Sequence, residues 1–332
     1  MAGTGTAQLR EVDDIVLRVE NLVVEYPLGQ GRRVHAVSDV TFDVRSGETL
    51  GIVGESGCGK STTARAVIQL PSPTKGSVRY RQRELTTLKP EEMRRIRPAL
   101  QIIFQDPLSS LNPRRKIRAI VAEPLRVWGD SEGSTVAETP RSVDRLLEAV
   151  GIDPAAIGDR RPSELSGGQC QRVSIARALM LDPDVVVCDE PVSALDVSVQ
   201  AQILNLLEEM KERYGLTLLF ISHDLSVVRN ISDRVLVMYL GKVCEIGDAE
   251  AVFHHPAHPY TRALLAAIPE PAPGVDPVEA NLVGDVPSPI NPPMGCRFHP
   301  RCPRAQDVCR STEPEVRPIG NDHFVACHFP SA

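Results

Sequence analysis

The sequence predicts an α/β fold in which a largely parallel sheet is covered by helices on both faces. Strand-like and helix-like segments alternate before residue 106 and again after residue 180, a pattern typical of parallel sheets. Helical patterns occupy residues 106–180, so this block is expected to be an inserted α-helical subdomain. Four of the eight cysteines follow residue 295, which indicates a cysteine-rich C-terminal extension.

The periodicity of apolar residues justifies each element in turn. Alternating apolar and β-branched residues predict strands, whereas apolar positions that recur at helical spacing predict helices. The predicted strands are Ile15–Tyr26, Val34–Val44, Glu48–Val53, Leu100–Phe104, Val185–Asp189, Thr217–Ser222 and Arg234–Tyr239. The predicted helices are Ser61–Leu70, Lys116–Val127, Ser142–Val150, one that begins near Gly168, Val197–Arg213 and Leu225–Asn230. A polar loop is expected at Gly129–Pro140.

The order of these elements predicts the domain boundaries. Residues 1–14 are small and polar and are expected to be flexible. The main domain is expected at 15–255 and the C-terminal extension at 256–332. Eight of the 25 residues in 269–293 are proline, which favours a linker or an extended arm.

Composition and charge argue against some function classes. The chain has 332 residues, 42% of them apolar, which allows one large core or two smaller ones. Its net charge of -6 disfavours a protein whose main role is to neutralise a nucleic-acid backbone. No run of about 18 apolar residues and no secretory signal are visible, so a cytosolic protein without membrane spans is expected.

The segment after the third predicted strand has the spacing of a phosphate-binding loop, Gly-x4-Gly-Lys-Ser, and it precedes a helix. Its glycines let backbone N–H groups surround phosphate oxygens, and the helix adds its positive dipole end. Lys60 is expected to bind the β- and γ-phosphates and Ser61 to bind Mg²⁺. A glycine-rich turn with a chance lysine is the alternative. The predicted nucleotide-binding residues here are Gly54, Ser56, Gly57, Cys58, Gly59, Lys60, Ser61 and Thr62.

The apolar strand Val185–Asp189 ends in two consecutive carboxylates, Asp189 and Glu190. Ligands of open α/β sheets bind at the carboxyl edge of the strands. Asp189 therefore suits Mg²⁺, and Glu190 suits the general base that orients an attacking water. An apolar strand that ends in Asp-Glu is common and alone indicates little. About 130 residues after a phosphate loop, it is persuasive evidence for a nucleotide site.

Together with these two motifs, Leu165–Gln169 resembles the signature sequence of ABC ATPases. This resemblance implies a P-loop (RecA-like) ABC ATPase core that uses ATP and Mg²⁺, in which two chains enclose two nucleotides. Each signature then closes over the partner's ATP, and the hydroxyl and N–H groups of such a helix start suit an anion. The resemblance implies site roles for Ser166, Gly167, Gly168 and Gln169 in the signature, Gln105 as the Q-loop residue and Mg²⁺ ligand, Asp196 in the D-loop, His223 as the switch histidine and Tyr26 on adenine.

The chain is further similar to the ATP-binding subunits of oligopeptide and dipeptide importers. Phe104–Pro113, Ser166–Arg177, Asp189–Val199 and His258–Thr261 carry this similarity. It implies a peripheral protein on the cytoplasmic face of the inner membrane. The implied partners are a paralogous ATPase subunit, two permease subunits and an extracytoplasmic solute-binding protein, with no nucleic acid. The segment with Arg114, Arg115, Lys116 and Arg118 lies where this family docks the permease; a solvated basic face is the alternative.

Two other function classes remain as alternatives. A soluble ABC ATPase that acts on nucleic acid or the ribosome is disfavoured by the acidic balance and by the lack of fused halves or long basic insertions. A regulatory nucleotide-binding module is the other alternative.

The tail cysteines Cys296, Cys302, Cys309 and Cys327 are separated by five, six and 17 residues, which is too wide for most zinc sites. A [4Fe-4S] cluster is expected there, as the resemblance also implies, ahead of zinc or free thiols.

Overall fold

The computed structural model describes residues 5–128, 142–267, 284–320 and 322–331. Its strands, in chain order, are β1 Ile15–Gly29, β2 Arg32–Arg45, β3 Thr49–Val53, β4 Lys75–Tyr80, β5 Arg83–Glu84, β6 Leu100–Ile103, β7 Val185–Asp189, β8 Thr217–Ile221, β9 Arg234–Tyr239, β10 Lys242–Asp248, β11 Arg317–Gly320 and β12 His323–Val325. The predicted loop at Gly129–Pro140, residues 269–283 of the proline-rich segment and residues 1–4 lie outside the described residues.

The helices lie mainly between the strands. They are α1 Lys60–Val67, α2 Pro90–Ile96, α3 Pro107–Ser110, α4 Ile117–Val121, α5 Glu123–Trp128, α6 Val143–Ala149, α7 Pro154–Ile157, α8 Gly167–Leu179, α9 Val197–Tyr214, α10 Leu225–Ile231, α11 Ala249–His254, α12 Pro259–Ala266 and α13 Asp307–Ser311. Short 3₁₀ turns occur at Arg97–Ala99, Pro162–Glu164 and His299–Arg301. In the described part of the chain, no helix is both long and apolar enough to cross a bilayer.

The first of two compact units comprises Met1–Thr86 and Ile221–Ala332. Strands β2, β1, β4 and β5 lie side by side in that order, and a second group has the order β11, β12, β10, β9, β3. Strand β3 runs parallel to β9, and both strands are buried along their whole length. The buried strand β3 therefore carries the chain through the core to the loop that begins at Gly54.

The first two strands correct one part of the expected topology, because β1 and β2 pair antiparallel rather than within a parallel sheet. Only Gln30 and Gly31 connect them. A two-residue link joins antiparallel neighbours, whereas a parallel pair needs a crossover of about a dozen residues. Strands β9 and β10 are also antiparallel and are joined by a tight turn.

The second compact unit is Thr87–Phe220. Strands β8, β7 and β6 are neighbours in that order, and β6 and β7 are parallel. The predicted helix Lys116–Val127 is instead two helices, α4 and α5, with Ala122 between them. Pro124 explains the break, since proline lacks the N–H that a continuous helix requires but fits the first turn of a new one.

Candidate functional site

The phosphate loop leaves β3 at Gly54 and ends where Lys60 begins α1. Gly54 has φ +148°, and a Cβ atom there would lie 2.1 Å from the carbonyl oxygen of Met238. Gly59 has φ +103°, and its Cβ would lie 2.3 Å from the carbonyl oxygen of Ala36. Both glycines are therefore required by close backbone neighbours as well as by their dihedral angles.

Lys60 is only 5% exposed and points back into this loop. Its ammonium group donates to the carbonyl oxygens of Gly54 at 2.7 Å and Glu55 at 3.1 Å. Ser56 and Gly57 are exposed at the tip of the loop, while Cys58 is buried. Burial raises the pKa of the Cys58 thiol, so this residue stays a neutral packing group. Ser61 and Thr62 follow in the first turn of α1.

Tyr26 and His223 belong to the same unit as the loop. Tyr26 lies on β1 opposite Val34 and is 39% exposed, so its ring is accessible at the surface of this sheet. His223 is exposed and follows Ser222, whose N–H donates to the carbonyl oxygen of Ile52 at 3.4 Å. The main chain beside His223 therefore lies next to the end of β3, from which the phosphate loop departs.

In the second unit, Gln105 and Glu190 follow the neighbouring parallel strands β6 and β7, in which Ile103 is aligned with Cys188. The carboxyl ends of parallel strands meet at one edge, and here the Gln105 amide donates to the Glu190 carboxylate at 2.9 Å. Asp189 is 1% exposed at the end of β7. These residues supply carboxylate and amide oxygens, the ligands that Mg²⁺ prefers.

Glu190 has φ +51°, in the left-handed region that glutamate rarely adopts. Such dihedral angles cost about 1–3 kcal/mol and concentrate at functional sites, where the surrounding structure enforces them. The Glu190 carbonyl accepts the backbone N–H of Ser193 at 3.3 Å and its hydroxyl at 3.1 Å. The turn after β7 therefore fixes the direction of the Glu190 carboxylate at the sheet edge where Gln105 also lies.

The predicted signature residues form the start of α8, a helix of 13 residues. The Ser166 hydroxyl accepts from the Gln169 N–H at 3.3 Å, and the Gln169 side chain accepts from the Ser166 N–H at 3.0 Å. This reciprocal pair is a capping box. Ser166 and Gly167 are exposed. A Cβ on Gly168 would lie 2.7 Å from a Val199 methyl group, so α9 packs closely against the signature.

Asp196 lies at the N-cap position of α9 and is exposed, without a side-chain capping bond to that helix. The next residue, Val197, is 81% exposed although it is apolar. The predicted D-loop residue Asp196 and the predicted signature residues Ser166 and Gly167 therefore lie at the surface of the second unit.

The basic segment predicted to dock a permease is extensively paired with acidic side chains. Arg115 binds Glu123 at 2.7 Å, and Lys116 binds Asp159 at 2.9 Å. Arg118 binds Asp144 at 2.8 Å. These ion pairs favour the alternative that the basic side chains form a solvated face. The location of permease docking stays a prediction.

The four tail cysteines line one cavity, together with His299, His328 and other residues of the tail and of α12. The Cys296 N–H donates to the Cys309 carbonyl at 2.9 Å, and burial raises the pKa of the Cys296 thiol to about 12. Four thiols around one cavity are the donor set of an iron–sulfur cluster. Among the residues described, however, no three His, Cys, Asp or Glu side chains are placed closely enough to hold a metal ion. That placement gives no support to a metal ion, and the cluster stays a prediction.

Two contacts of the phosphate loop are not predicted by the sequence. The Arg301 guanidinium binds the Glu55 carboxylate, and the Tyr260 hydroxyl accepts the Glu55 N–H at 2.8 Å. The spacing of 246 residues between Glu55 and Arg301 left no local signal of this pairing.

Two family models match the chain. The model described as "ABC transporter" matches residues 37–193, and the one described as "Oligopeptide/dipeptide transporter, C-terminal region" matches residues 244–309. The chain is 49% identical over 316 residues to a putative oligopeptide transport ATP-binding protein of Bacillus subtilis, covering 95% of each chain. It is also 49% identical over 323 residues to the oligopeptide transport ATP-binding protein OppF of Escherichia coli, covering 94% of this chain and 96% of the relative.

Solved structures agree with these matches. The dimeric post-hydrolysis state of the ATP-binding cassette MJ0796 with ADP and Pi superimposes with a TM-score of 0.61 at 28% identity, covering 70% of this chain and 98% of that chain. CbiO1 of Clostridium perfringens, part of an ABC transporter complex, gives a TM-score of 0.61 at 28% identity over 73% of this chain and 92% of its own.

Proposed function

Because the chain belongs to the ABC transporter family and to its oligopeptide/dipeptide branch, we propose that it is the ATP-hydrolysing motor subunit of an importer of di- or oligopeptides. The observation that carries the proposal is the match of residues 244–309 to a C-terminal region described for these transporters, on a chain whose residues 37–193 match the ABC transporter model. The phosphate loop and the Gln105–Glu190 pair supply the chemistry of an ATPase.

Catalysis in this proposal is mainly positioning and charge stabilisation. Lys60 turns from the loop carbonyls to the β- and γ-phosphates. Glu190 orients the attacking water and accepts its proton, and Gln105 holds the Glu190 carboxylate until nucleotide binds. His223 contacts the γ-phosphate from the end of β8, and Tyr26 stacks on adenine.

Oxygen donors suit Mg²⁺ in the same site, where the bound ion would neutralise phosphate charge. We assign it to Ser61, Asp189 and Gln105. Asp189 fits this role because its carboxylate lies at the end of a buried strand and is 1% exposed.

A second chain completes the pocket in this proposal. Ser166, Gly167 and Asp196 are exposed, so the start of α8 is accessible to the nucleotide of a partner. The dimeric state of the MJ0796 cassette supports a two-subunit arrangement. A paralogous ATPase subunit is the proposed partner, together with two permease subunits and an extracytoplasmic solute-binding protein. The complex is proposed to place this chain on the cytoplasmic face of the inner membrane.

Peptide-stimulated ATPase activity tests the function. The chain is co-expressed with its permease and paralogous subunit, and the complex is reconstituted in vesicles with binding protein loaded with peptides. We expect ATP turnover to rise with loaded binding protein and to disappear in a Lys60→Ala variant. Turnover that no peptide pool stimulates, or that survives in Lys60→Ala, would contradict the proposal.

For the tail, we propose that Cys296, Cys302, Cys309 and Cys327 hold a structural [4Fe-4S] cluster, with zinc as the alternative. The observation behind this proposal is that all four cysteines line one cavity, although no three of the described His, Cys, Asp or Glu side chains are placed closely enough to hold a metal ion. After anaerobic purification we expect about four iron and four sulfide per chain, and loss of both in Cys309→Ser. The buried Cys170, far along the chain from the tail, provides the control Cys170→Ser. Zinc without sulfide would replace the cluster, and metal-free protein would remove the proposal.

A further inference from the structure

The phosphate loop carries a negative charge of its own, at Glu55. This residue lies between Gly54 and Ser56, and its carbonyl oxygen accepts from the Lys60 ammonium at 3.1 Å. A carboxylate at this position repels an incoming triphosphate unless a cation balances it. The loop therefore needs a partner for Glu55 if it is to bind ATP well.

Arg301 is that partner, and it comes from the cysteine-rich tail. Its two terminal nitrogens bind the two Glu55 oxygens, Nη1 to Oε2 at 2.6 Å and Nη2 to Oε1 at 3.0 Å. The side chain of Arg301 is 6% exposed and that of Glu55 is 24% exposed. Because the two bonds are parallel, charge-assisted and little exposed, they fix the orientation of the Glu55 carboxylate and balance its negative charge. The bonds to Glu55 also raise the pKa of Arg301 above its usual value.

The turn that carries Arg301 is anchored in an aromatic cluster. Phe298 is 1% exposed and packs edge-to-face on Tyr239 at 5.2 Å between ring centroids. Its ring lies 5.3 Å from that of Tyr260. These contacts hold the tail segment on the end of β9, so Arg301 reaches Glu55 from a buried aromatic cluster.

Tyr260 holds the main chain of the same loop residue. Its hydroxyl accepts the Glu55 N–H at 2.8 Å, and its side chain is fully buried. Burial raises the pKa of Tyr260, so the hydroxyl remains protonated. Glu55 is thus bound twice from the C-terminal region, once at its amide and once at its carboxylate.

A second arginine of the tail supports the other end of the loop. Arg297 donates to the Leu240 carbonyl and, at 2.9 Å, to the Ser38 hydroxyl. The neighbouring Gly241 N–H donates to the Cys58 carbonyl at 2.8 Å. The β9–β10 turn that Arg297 holds is therefore itself bonded to the phosphate loop.

We propose that Arg301 is a positioning residue for ATP binding, through which the C-terminal extension sets both the charge and the conformation of the phosphate loop by way of Glu55. The inference rests on the proposed ATPase function. It assigns to the tail a role in nucleotide affinity.

Equilibrium binding of MgATP to the full chain tests this role. We expect Arg301→Met to weaken MgATP binding about tenfold, because Glu55 loses a bidentate charged partner. Arg301→Lys keeps the charge without the two-pronged geometry and is expected to lose about threefold. The matched control is Arg317→Met, since Arg317 is an exposed arginine of the same tail that donates to the His328 carbonyl at 3.0 Å. It should bind MgATP as the wild type does.

A double-mutant cycle separates positioning from general damage. In the Glu55→Gln background, Arg301→Met should have little further effect, since the carboxylate that it balances is gone. In the reconstituted complex, Arg301→Met should raise KM for ATP and leave kcat near the wild-type value. If Arg301→Met does not fold, Arg301→Lys and Tyr260→Phe carry the test, each with an expected loss of about threefold.

The binding measurements can contradict the inference in three ways. Wild-type affinity in Arg301→Met, or losses that simply multiply across the Glu55 and Arg301 variants, would overturn the inference. So would wild-type affinity in both reserve variants. A Lys60→Ala chain that binds MgATP like the wild type would instead remove the proposed ATP site itself, so the two failures are distinguishable.

Discussion

The phosphate loop and the signature segment both place small residues at the start of a helix, yet the rest of the chain surrounds them differently. Gly54 and Gly59 have backbone carbonyls within 2.3 Å of where a Cβ would stand, and Lys60 is 5% exposed. At the signature, Ser166 and Gly167 are exposed, and local capping bonds define the turn. One site is enclosed by its own chain, whereas the other is open.

This difference indicates that the phosphate loop and the signature segment have different roles. The phosphate loop is enclosed by its own core and is contacted by Tyr260 and Arg301, and in the proposed function it holds a nucleotide through groups of this chain. The exposed start of α8, which a capping box stabilises, has no such enclosure, and in the proposed function a second, nucleotide-loaded chain covers it. Variants of the two regions should therefore fail in different ways.

The largest expected effect belongs to neither region but to the Gln105–Glu190 edge of the second unit. Glu190→Gln keeps the shape of the side chain but removes the base, so we expect turnover in the complex to fall about 1,000-fold. MgATP binding should persist, because the phosphate loop is untouched. Steady-state ATPase and binding assays on one preparation measure both. Glu148→Gln, an exposed change on α6, is the control. Wild-type turnover in Glu190→Gln would remove the assigned base.

The enclosed site should be intolerant of a single methyl group. Gly54→Ala places a Cβ 2.1 Å from the Met238 carbonyl at φ +148°, and we expect it to lower the free energy of unfolding by about 3 kcal/mol or more and to abolish MgATP binding. Gly47→Ala is matched in needing a positive φ, +75°, but nothing lies within 4 Å of its Cβ. It should cost about 1 kcal/mol. Denaturant unfolding compares the two, and equal losses would contradict the enclosure argument.

The open site should tolerate the same change in the separate chain and fail only in the complex. A Cβ on Gly167 would meet a Leu195 methyl at 3.4 Å, an ordinary contact. Gly167→Ala should therefore keep wild-type stability and MgATP binding. Turnover in the assembled complex should fall about tenfold or more, because in the proposed dimer the methyl group would cover the N–H groups that face the partner's phosphate. A loss of binding in the separate chain would show that the signature does not act across subunits.

Local sequence predicted the parts of the site that local geometry builds. The spacing of Gly54 to Ser61 predicts the turn between β3 and α1, and the apolar run before Asp189 predicts the end of β7. Pro124 marks the helix break in the sequence, but the apolar periodicity of 116–127 favours one continuous helix. The antiparallel pairing of β10 with β12 and the Arg301–Glu55 pair join segments that are distant along the chain. Such pairings depend on how whole elements pack, and no local period encodes them.

The smallest expected effect separates helix capping from function at the signature. Ser166 and Ser142 cap α8 and α6 in the same unit, and each hydroxyl accepts an N–H three residues on at 3.3 Å. Loss of either cap should cost about 1 kcal/mol of stability. Because only Ser166 belongs to the signature, Ser166→Ala should also reduce turnover in the complex about threefold to tenfold, whereas Ser142→Ala should leave turnover unchanged. Equal turnover in the two variants would mean that the Ser166 hydroxyl only starts a helix.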